Sequence, residues 1–252
     1  MSTPHLEIHP TKDATAAAVS TALAARIREA QQARGVAHIV LTGGSMGGAS
    51  LQGLRRPDAG PVDWSRVHLW WGDERFVPAG HADRNETEAR EALLDELDLD
   101  PSTVHAMPAS DGPDGDDLAA AARRYAEELA AHAGDGRVVP AFDVLMLGVG
   151  PDAHIASLFP HHPAQRVTDA PTVAVEDSPK PPPLRISLTY PTINAARHVW
   201  FMVAGSEKAD AVHAALSAGA DSWDTPASGA HGTEETVWWL DEAAAARVPA
   251  AG

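Results

Sequence analysis

The stretch Phe142-Asp-Val-Leu-Met-Leu-Gly-Val-Gly-Pro-Asp-Ala-His154-Ile-Ala-Ser-Leu-Phe-Pro160 decides the fold. Its apolar run at residues 144–147 is typical of a short strand buried on both faces of a parallel sheet. The glycines that follow end the strand, and Asp152 can cap the turn after them. His154 is therefore expected just past the carboxyl end of a buried strand, where open α/β sheets bind their ligands.

An imidazole at this edge is suited to proton transfer near neutral pH, because its unperturbed pKa is about 6.5. A histidine that merely caps a turn is the alternative. The choice between them depends on whether other segments bring functional groups to the same edge of the sheet.

The composition limits the kinds of function. A chain of 252 residues with 44% hydrophobic and 21% charged residues is globular and long enough for a sizeable core. The absence of cysteine excludes disulfides, thiolate nucleophiles and cysteine metal sites. No signal-peptide pattern and no membrane-spanning apolar run is visible, so a cytoplasmic location is expected.

The formal net charge of −16 argues against nucleic acid and against an anionic membrane surface as partners. Acidity on this scale otherwise serves solubility. If the ligand is nevertheless an anion, the 19 lysines and arginines must be concentrated around it.

A glycine-rich turn follows the strand predicted at residues 37–42. Gly43, Gly44 and Ser45 lead from this strand into a helix predicted around Ala49 to Leu54. Free backbone N–H groups at such a turn can hold a phosphate. The turn matches neither the Walker nor the dinucleotide pattern, and a simple chain reversal is the alternative.

Charged residues follow further predicted strands. Asp73 and Arg75 come after the strand at residues 67–71, and Asn85 opens a helix whose apolar stripe continues to Leu97. An arginine fork matches phosphate oxygens, although three successive charges at residues 73–75 are also typical of a solvated loop.

Three more cations have two interpretations each. Lys180 lies in a proline-stiffened loop that is either a ligand-presenting segment or a rigid linker. Arg185 lies in a predicted strand and faces either the site or solvent. Lys208, in the first turn of a helix after Gly205, is unfavourable with the helix dipole, so it is either a ligand group or simply exposed.

Strands and helices alternate along the chain. This alternation predicts a doubly wound, mainly parallel α/β sheet with helices on both faces, in one domain of residues 1–252 with a possible small annex. A long helix is predicted from Thr11 to Arg34, stopped by Gly35, and a closing helix from Asp241 to Arg247.

Several segments in order along the chain resemble the 6-phosphogluconolactonase family. They are Thr42–Ser45, Trp71–Pro78, Gly148–His154, Ser157–Pro160, Pro179–Ile186, Asn194–Arg197, Gly205–Ala209 and Pro226–Ser228. The resemblance implies the fold of glucosamine-6-phosphate deaminase and ribose-5-phosphate isomerase. It also implies hydrolysis of 6-phospho-D-glucono-1,5-lactone to 6-phosphogluconate in the pentose phosphate pathway, without metal or cofactor. A monomer or weak dimer is expected, although the sequence itself does not reveal the oligomeric state.

Site residues follow from the motifs and the resemblance together. His154 is expected to act as base and then acid, with Asp152 either orienting it or capping the turn. Residues expected to bind the substrate are Gly43, Gly44, Ser45, Asp73, Arg75, Asn85, Lys180, Arg185 and Lys208. The oxyanion donor is left open between Arg75 and a backbone N–H.

Two departures from the family patterns are informative. Ala153 replaces the last glycine of the common Gly-Pro-Asp-Gly-His form, so its φ is expected not to be positive. Phe159 stands where the related amino-sugar phosphate deaminases carry a glutamate that supports the histidine. This difference favours the lactonase over a deaminase or isomerase, while a non-catalytic phosphosugar sensor is the rival from another class.

Overall fold

A computed structural model describes residues 3–134 and 136–248. Its strands are β1 (His5–His9), β2 (Ala37–Leu41), β3 (Val67–Trp71), β4 (Asp73–Arg75), β5 (Val144–Leu147), β6 (Thr172–Val175), β7 (Arg185–Leu188), β8 (His198–Val203) and β9 (Glu235–Asp241). Its α-helices are α1 (Lys12–Arg34), α2 (Gly44–Gly53), α3 (Asn85–Ala92), α4 (Leu118–Ala131), α5 (Tyr190–Ile193) and α6 (Ala209–Leu216).

Six parallel strands form the main sheet in the order β1-β9-β8-β5-β2-β3. The prediction of a doubly wound α/β sheet is therefore confirmed. The chain runs from β2 outward to β3 and then crosses back to β5, so the winding direction reverses between β2 and β5. A crevice at such a reversal, outside the carboxyl ends of the strands, is the usual ligand site of this architecture.

The central strand β5 is buried along its whole length, as its apolar sequence predicts. It lies between β2 and β8, with Val144 in register with both Ile39 and His198. Each fully buried Val, Leu or Met side chain contributes about 1.5–3 kcal/mol, so this strand anchors the loop that carries His154.

A second, antiparallel sheet in the order β4-β7-β6 adjoins the first. The charged segment at residues 73–75, for which a loop was the alternative, is its strand β4. Arg75 is in register with Arg185 on β7, and opposed residues of two strands point to the same face. The small sheet therefore brings two arginines from distant parts of the chain to one place.

Helix α1 forms as predicted. The Thr11 hydroxyl accepts a hydrogen bond from the Ala14 N–H at 3.2 Å, and Gly35 ends the helix at a φ of 86°. Helix α2 begins earlier than predicted, directly at Gly44, and the glycine turn is thus its first turn.

Three predictions about helices are wrong in part or whole. Helix α3 ends at Ala92, so Leu97 lies outside it. Residues 242–247 form turns where a closing helix was predicted, with the Ala245 N–H still donating to the Asp241 carbonyl. Lys208 ends a 3₁₀ turn that precedes α6 rather than lying in the first turn of an α-helix. Within residues 3–134 and 136–248, no helix is long and apolar enough to cross a membrane.

Tyr125 of α4 ties this helix to the end of β3. Its fully buried hydroxyl accepts a hydrogen bond from the Trp71 N–H at 3.0 Å. Tyr125→Phe leaves this buried N–H without its acceptor, and we expect the free energy of unfolding to fall by about 1–3 kcal/mol. Urea denaturation with an unchanged m-value measures the loss. An unchanged midpoint would contradict the importance of this bond.

Candidate active site

A polar pocket lies at the carboxyl edge of the main sheet, at the reversal between β2 and β5. Its walls are formed by Thr42, Gly43, Gly44, Asp73, Arg75, Asn85, Gly148, Val149, Gly150, Pro151, His154, Ala156, Lys180, Arg185 and Lys208. Eight of the nine residues predicted to bind substrate, together with His154, are in this wall. Among the described residues, Ser45 and Asp152 lie beside the wall rather than in it.

His154 is held by a carboxylate. Its Nδ1 lies 2.5 Å from Oδ1 of Asp152, and Nζ of Lys180 lies 3.2 Å from the same oxygen. Because a carboxylate can only accept, both the imidazole Nδ1–H and the Lys180 ammonium donate to Asp152. This arrangement leaves Nε2 as the basic nitrogen of His154. Asp152 contacts the imidazole and also lies 3.5 Å from the His154 backbone N–H, so its orienting role stays a prediction.

The surroundings set the protonation of this pair. Burial lowers the pKa of His154 below its ordinary value, while the hydrogen bond and charge of Asp152 act to raise it and the charge of Lys180 lowers it. Burial alone would raise the pKa of Asp152, but the His154 imidazole and the Lys180 ammonium hold that pKa far below its usual range. The pair at pH 7 is therefore a neutral imidazole hydrogen-bonded to an ionised carboxylate.

The turn after β5 folds back on itself. The Gly150 N–H donates to the His154 carbonyl at 2.9 Å, and a side chain at position 150 would collide with the His154 imidazole and the Asp152 carboxylate. Glycine is thus required at position 150 by the closeness of the ring. Ala153 has a φ of 63°, so the prediction that it avoids positive φ is wrong. An alanine there costs about 1–2 kcal/mol of backbone strain.

Arg75 is positioned by a chain of buried polar groups. Asp73 accepts from the Ser157 hydroxyl at 2.6 Å and from the Asn85 amide at 3.2 Å, and Asn85 in turn accepts from Nη1 of Arg75. Asp73 and Asn85 line the pocket, but these hydrogen bonds show that they hold the arginine in place. Ser157 was not predicted as a site residue, since it lies inside a matching motif without an obvious charge partner.

Glu74 is a site residue that sequence reasoning missed. It is almost fully buried, and its carboxylate accepts hydrogen bonds from the backbone N–H groups of Arg75, Asn85 and Glu86 at 2.7–2.9 Å. Burial raises its pKa to about 7, against the charge of Arg84 and these three donors. Glu74 therefore joins β4 to the start of α3. The sequence contains no signal that Glu74, which lies between two charged residues, would be buried.

Arg185 faces inward and is buried, which excludes the solvent-facing alternative. Its Nε donates to the Pro182 carbonyl at 3.2 Å and its Nη2 to the Lys180 carbonyl at 3.0 Å. Nη1 lies 4.0 Å from Asp73. Arg185 thus fixes the proline loop that presents Lys180 to the Asp152 carboxylate, so this loop is more than a linker.

Lys208 reaches the pocket from the segment after β8. Its Nζ donates to the Val149 carbonyl at 2.8 Å. Burial and the charge of Lys180 lower its pKa, while nearby carboxylates act to raise it. Two of the three lysines in the chain, Lys180 and Lys208, therefore line one pocket.

An internal carboxylate already occupies part of the glycine turn. Oε2 of Glu88 accepts from the Gly44 N–H at 2.8 Å at the start of α2. Gly43 packs so closely on Asn85 that a side chain at position 43 would overlap the Asn85 amide. Ser45 is exposed in the same turn. The predicted anion-binding amides are present, but a ligand phosphate must share or displace Glu88.

Positive charge is concentrated at the pocket, as a chain with a net negative charge needs if it is to bind an anion. Four cations and one carboxylate, Arg75, Lys180, Arg185, Lys208 and Asp73, line a single site of a chain with a net charge of −16. A neutral imidazole held by a carboxylate beside four cations is an arrangement suited to an enzyme that acts on a small anionic ligand.

Comparison with known proteins identifies the family. Residues 10–239 match the family described as glucosamine-6-phosphate isomerases/6-phosphogluconolactonase, and the chain belongs to this family. It is 53% identical over 250 residues to a 6-phosphogluconolactonase of Streptomyces coelicolor, an alignment that covers 98% of this chain and 95% of the relative.

Solved structures share the fold over almost the whole chain. A 6-phosphogluconolactonase from Trypanosoma brucei superposes with a TM-score of 0.83 at 27% identity, covering 98% of this chain and 99% of that one. A monomeric glucosamine-6-phosphate deaminase superposes with a TM-score of 0.77 at 21% identity over 96% and 99% of the two chains. The latter likeness concerns the fold alone.

Asp152→Asn tests the imidazole–carboxylate pair. An amide cannot accept from Nδ1–H as a carboxylate does, so we expect kcat to fall by about 10²-fold or more with little change in KM. Asp224 forms the matched control, because it pairs with the exposed His161 at 3.5 Å on the surface. If Asp152→Asn and Asp224→Asn show the same kcat, Asp152 has no orienting role.

The pH dependence of kcat/KM tests the protonation assignment. His154 is active as a base when neutral, and burial lowers its pKa, so the rate is expected to be full at pH 7 and to fall only below about pH 6.5. Because Asp152 raises the pKa of His154, the acid limb of Asp152→Asn should move to still lower pH. A shift to higher pH would contradict this assignment.

Proposed function

We propose that this chain, as one lactonase domain with the small sheet as its annex, hydrolyses 6-phospho-D-glucono-1,5-lactone to 6-phospho-D-gluconate. The observation that carries the proposal is the neutral, carboxylate-held His154 in a pocket with four cations. The family and its lactonase relatives support the choice of substrate. The net charge of −16 argues against nucleic acid as the partner, whereas the cations of the pocket suit a small anion.

His154 would serve as both base and acid. The lactone carbonyl carbon is an ester-like electrophile, and its hydrolysis needs no covalent intermediate or cofactor. Nε2 would take a proton from water as the oxygen attacks, and would then give the proton to the departing ring oxygen. Asp152 would stabilise the imidazolium that forms between the two steps, and its depressed pKa keeps the proton from passing to the carboxylate.

Lys180 would keep the imidazolium short-lived. Its ammonium lies 3.2 Å from Nδ1 of His154. A protonated His154 would therefore be repelled by the positive charge of Lys180. This repulsion would favour rapid return of the proton to the leaving oxygen. The same lysine is held by Asp152 and by the loop that Arg185 fixes, so its position is set before substrate binds.

The phosphate would be held between the glycine turn and the cations. A unit charge pair at about 4 Å is worth roughly 4 kcal/mol at an effective dielectric of about 20, before desolvation. Arg75 uses only Nη1 for its internal side-chain hydrogen bonds, and Lys208 makes a single one. We assign the phosphate to these two cations and to the start of α2. Arg185 acts mainly through the loop that it fixes.

Phe159 argues against the deaminase reaction of the same family. Its ring centroid lies 4.5 Å from that of His154, and its side chain is buried. The position where a deaminase would carry its supporting glutamate is therefore an apolar ring in contact with the imidazole. A proton relay through a carboxylate at this position is excluded.

His154→Ala tests the reaction and the base together. With freshly made lactone, acid release by the wild type should exceed the spontaneous rate, and the variant should lose about 10²–10⁴-fold in kcat while binding 6-phosphogluconate nearly as before. His161→Ala, at an exposed histidine, is the control. Ammonia release from glucosamine 6-phosphate would indicate a deaminase, and binding without turnover by the wild type would indicate a sensor.

Glu88→Gln tests where the phosphate lies. Removing the negative charge from the Gly44 N–H should lower KM several-fold, since the phosphate no longer competes with a carboxylate. Glu91 lines the neighbouring surface and is exposed, so Glu91→Gln is the matched control. If both variants have the same KM, the phosphate does not lie at the start of α2.

A further inference from the structure

A cluster of histidines lies at the opposite edge of the main sheet from the pocket. His38 and His68 are in register as the second residues of β2 and β3, near the amino ends of these strands. His105 follows the segment that bridges β3, and His132 caps the carboxyl end of α4. Neither the proposed reaction nor the family motifs uses any of these residues.

Three of these side chains converge on one point. Ligand-capable atoms of His68, His105 and His132 all lie within 4.8 Å of one another. Nδ1 of His68 lies 2.9 Å from Nε2 of His105. Around a zinc ion with bonds of 2.0–2.1 Å, two tetrahedral nitrogen ligands are separated by about 3.3 Å. Nδ1 of His68 and Nε2 of His105 therefore need to move only slightly apart, with a small rotation of the rings, to bind the same ion.

Glu128 fixes the orientation of two of the rings. Its carboxylate lies 2.7 Å from Nδ1 of His105, and its carbonyl lies 3.0 Å from Nδ1 of His132. Because both oxygens accept, both Nδ1 atoms carry the proton, and both Nε2 atoms keep their lone pairs. Histidine ligands of metals usually donate their other ring N–H to a carboxylate or a backbone carbonyl in this manner.

The cluster can be reached from solvent. His132 is 32% exposed and gives an ion a path from solvent, whereas His105 is buried. Three imidazole ligands with a water in the fourth position form a set that suits a borderline-soft cation rather than Mg²⁺ or Ca²⁺.

We propose that His68, His105 and His132, supported by Glu128, bind one Zn²⁺ ion at the amino edge of the sheet, away from the catalytic pocket. The ion would link β3, the segment at His105 and the end of α4. Since α4 also holds the end of β3 through Tyr125, zinc would stabilise the side of the fold from which Asp73 and Arg75 extend. The site is independent of the proposed reaction, because none of its ligands lines the pocket.

Calorimetric titration of untagged, EDTA-treated protein with ZnCl₂ tests the proposal. We expect one ion per chain with a micromolar or lower Kd, and a thermal unfolding midpoint that rises with zinc. Co²⁺ should give the visible absorption of a four-coordinate nitrogen site. His132→Gln, at a partly exposed residue that leaves the core intact, should weaken binding by at least about tenfold, and Glu128→Gln should weaken it by about 10–100-fold.

His161→Gln is the matched control and should bind zinc as the wild type does. Lactonase activity of His132→Gln without zinc should equal that of the wild type, which shows that the variant is folded. Absence of saturable zinc binding by the wild type would overturn the proposal. Equal zinc affinity of His132→Gln and wild type would also overturn it, because the ion would then lie elsewhere.

Discussion

The hydrogen bond between His154 and Asp152 is the constraint on which the rest of the pocket depends. It requires a turn that brings a carboxylate within 2.5 Å of an imidazole only two residues away, and Gly150 makes room for both groups. This turn also needs a rigid support, and the fully buried strand β5 provides it. Burial of the ring by itself would make His154 a weak base, and the ionised carboxylate restores part of its basicity. The strained φ of Ala153 is the local cost of this geometry.

The acidic composition explains how the cations are arranged. Surface charges more than a Debye length away, about 8 Å in physiological salt, are largely screened, so a local excess of cations suffices to attract an anion. All four cations make hydrogen bonds within the protein: Arg75 to Asn85, Lys180 to Asp152, Arg185 to the Lys180 carbonyl and Lys208 to the Val149 carbonyl. Side chains fixed in advance lose less conformational entropy on binding. Glu88 places a negative charge at the Gly44 N–H, where the phosphate is proposed to bind.

The sequence correctly predicted that His154 follows a buried strand, because an uninterrupted apolar run and its glycine stop reveal such a strand without further context. It also indicated eight of the pocket residues through turns at strand ends. It did not reveal the burial of Glu74 or the contact of Glu88 with Gly44, since both depend on how β4 and α3 meet in space. The short strand β1 has half-exposed residues and polar neighbours, so local propensity gave it no signal. The closing segment after β9 is rich in alanine, but the Asp241 carboxylate accepts hydrogen bonds from the Ala244 and Gly205 N–H groups and holds the segment in turns. Helix propensity does not contain this tertiary effect.

One position, Phe159, links the choice of reaction to the basicity of the imidazole. The deaminase pattern carries a glutamate at this position, and such a charge beside the imidazole would raise the pKa of the ring. A lactonase of the kind proposed needs the reverse: a ring that is neutral at pH 7 and is protonated only briefly. The apolar Phe159 ring, 4.5 Å from His154, adds no charge beside the imidazole. Burial lowers the pKa of His154, and the Asp152 carboxylate acts to raise it. In the reaction proposed for His154, burial would keep the ring neutral at pH 7, and Asp152 would preserve the basicity that attack by water requires.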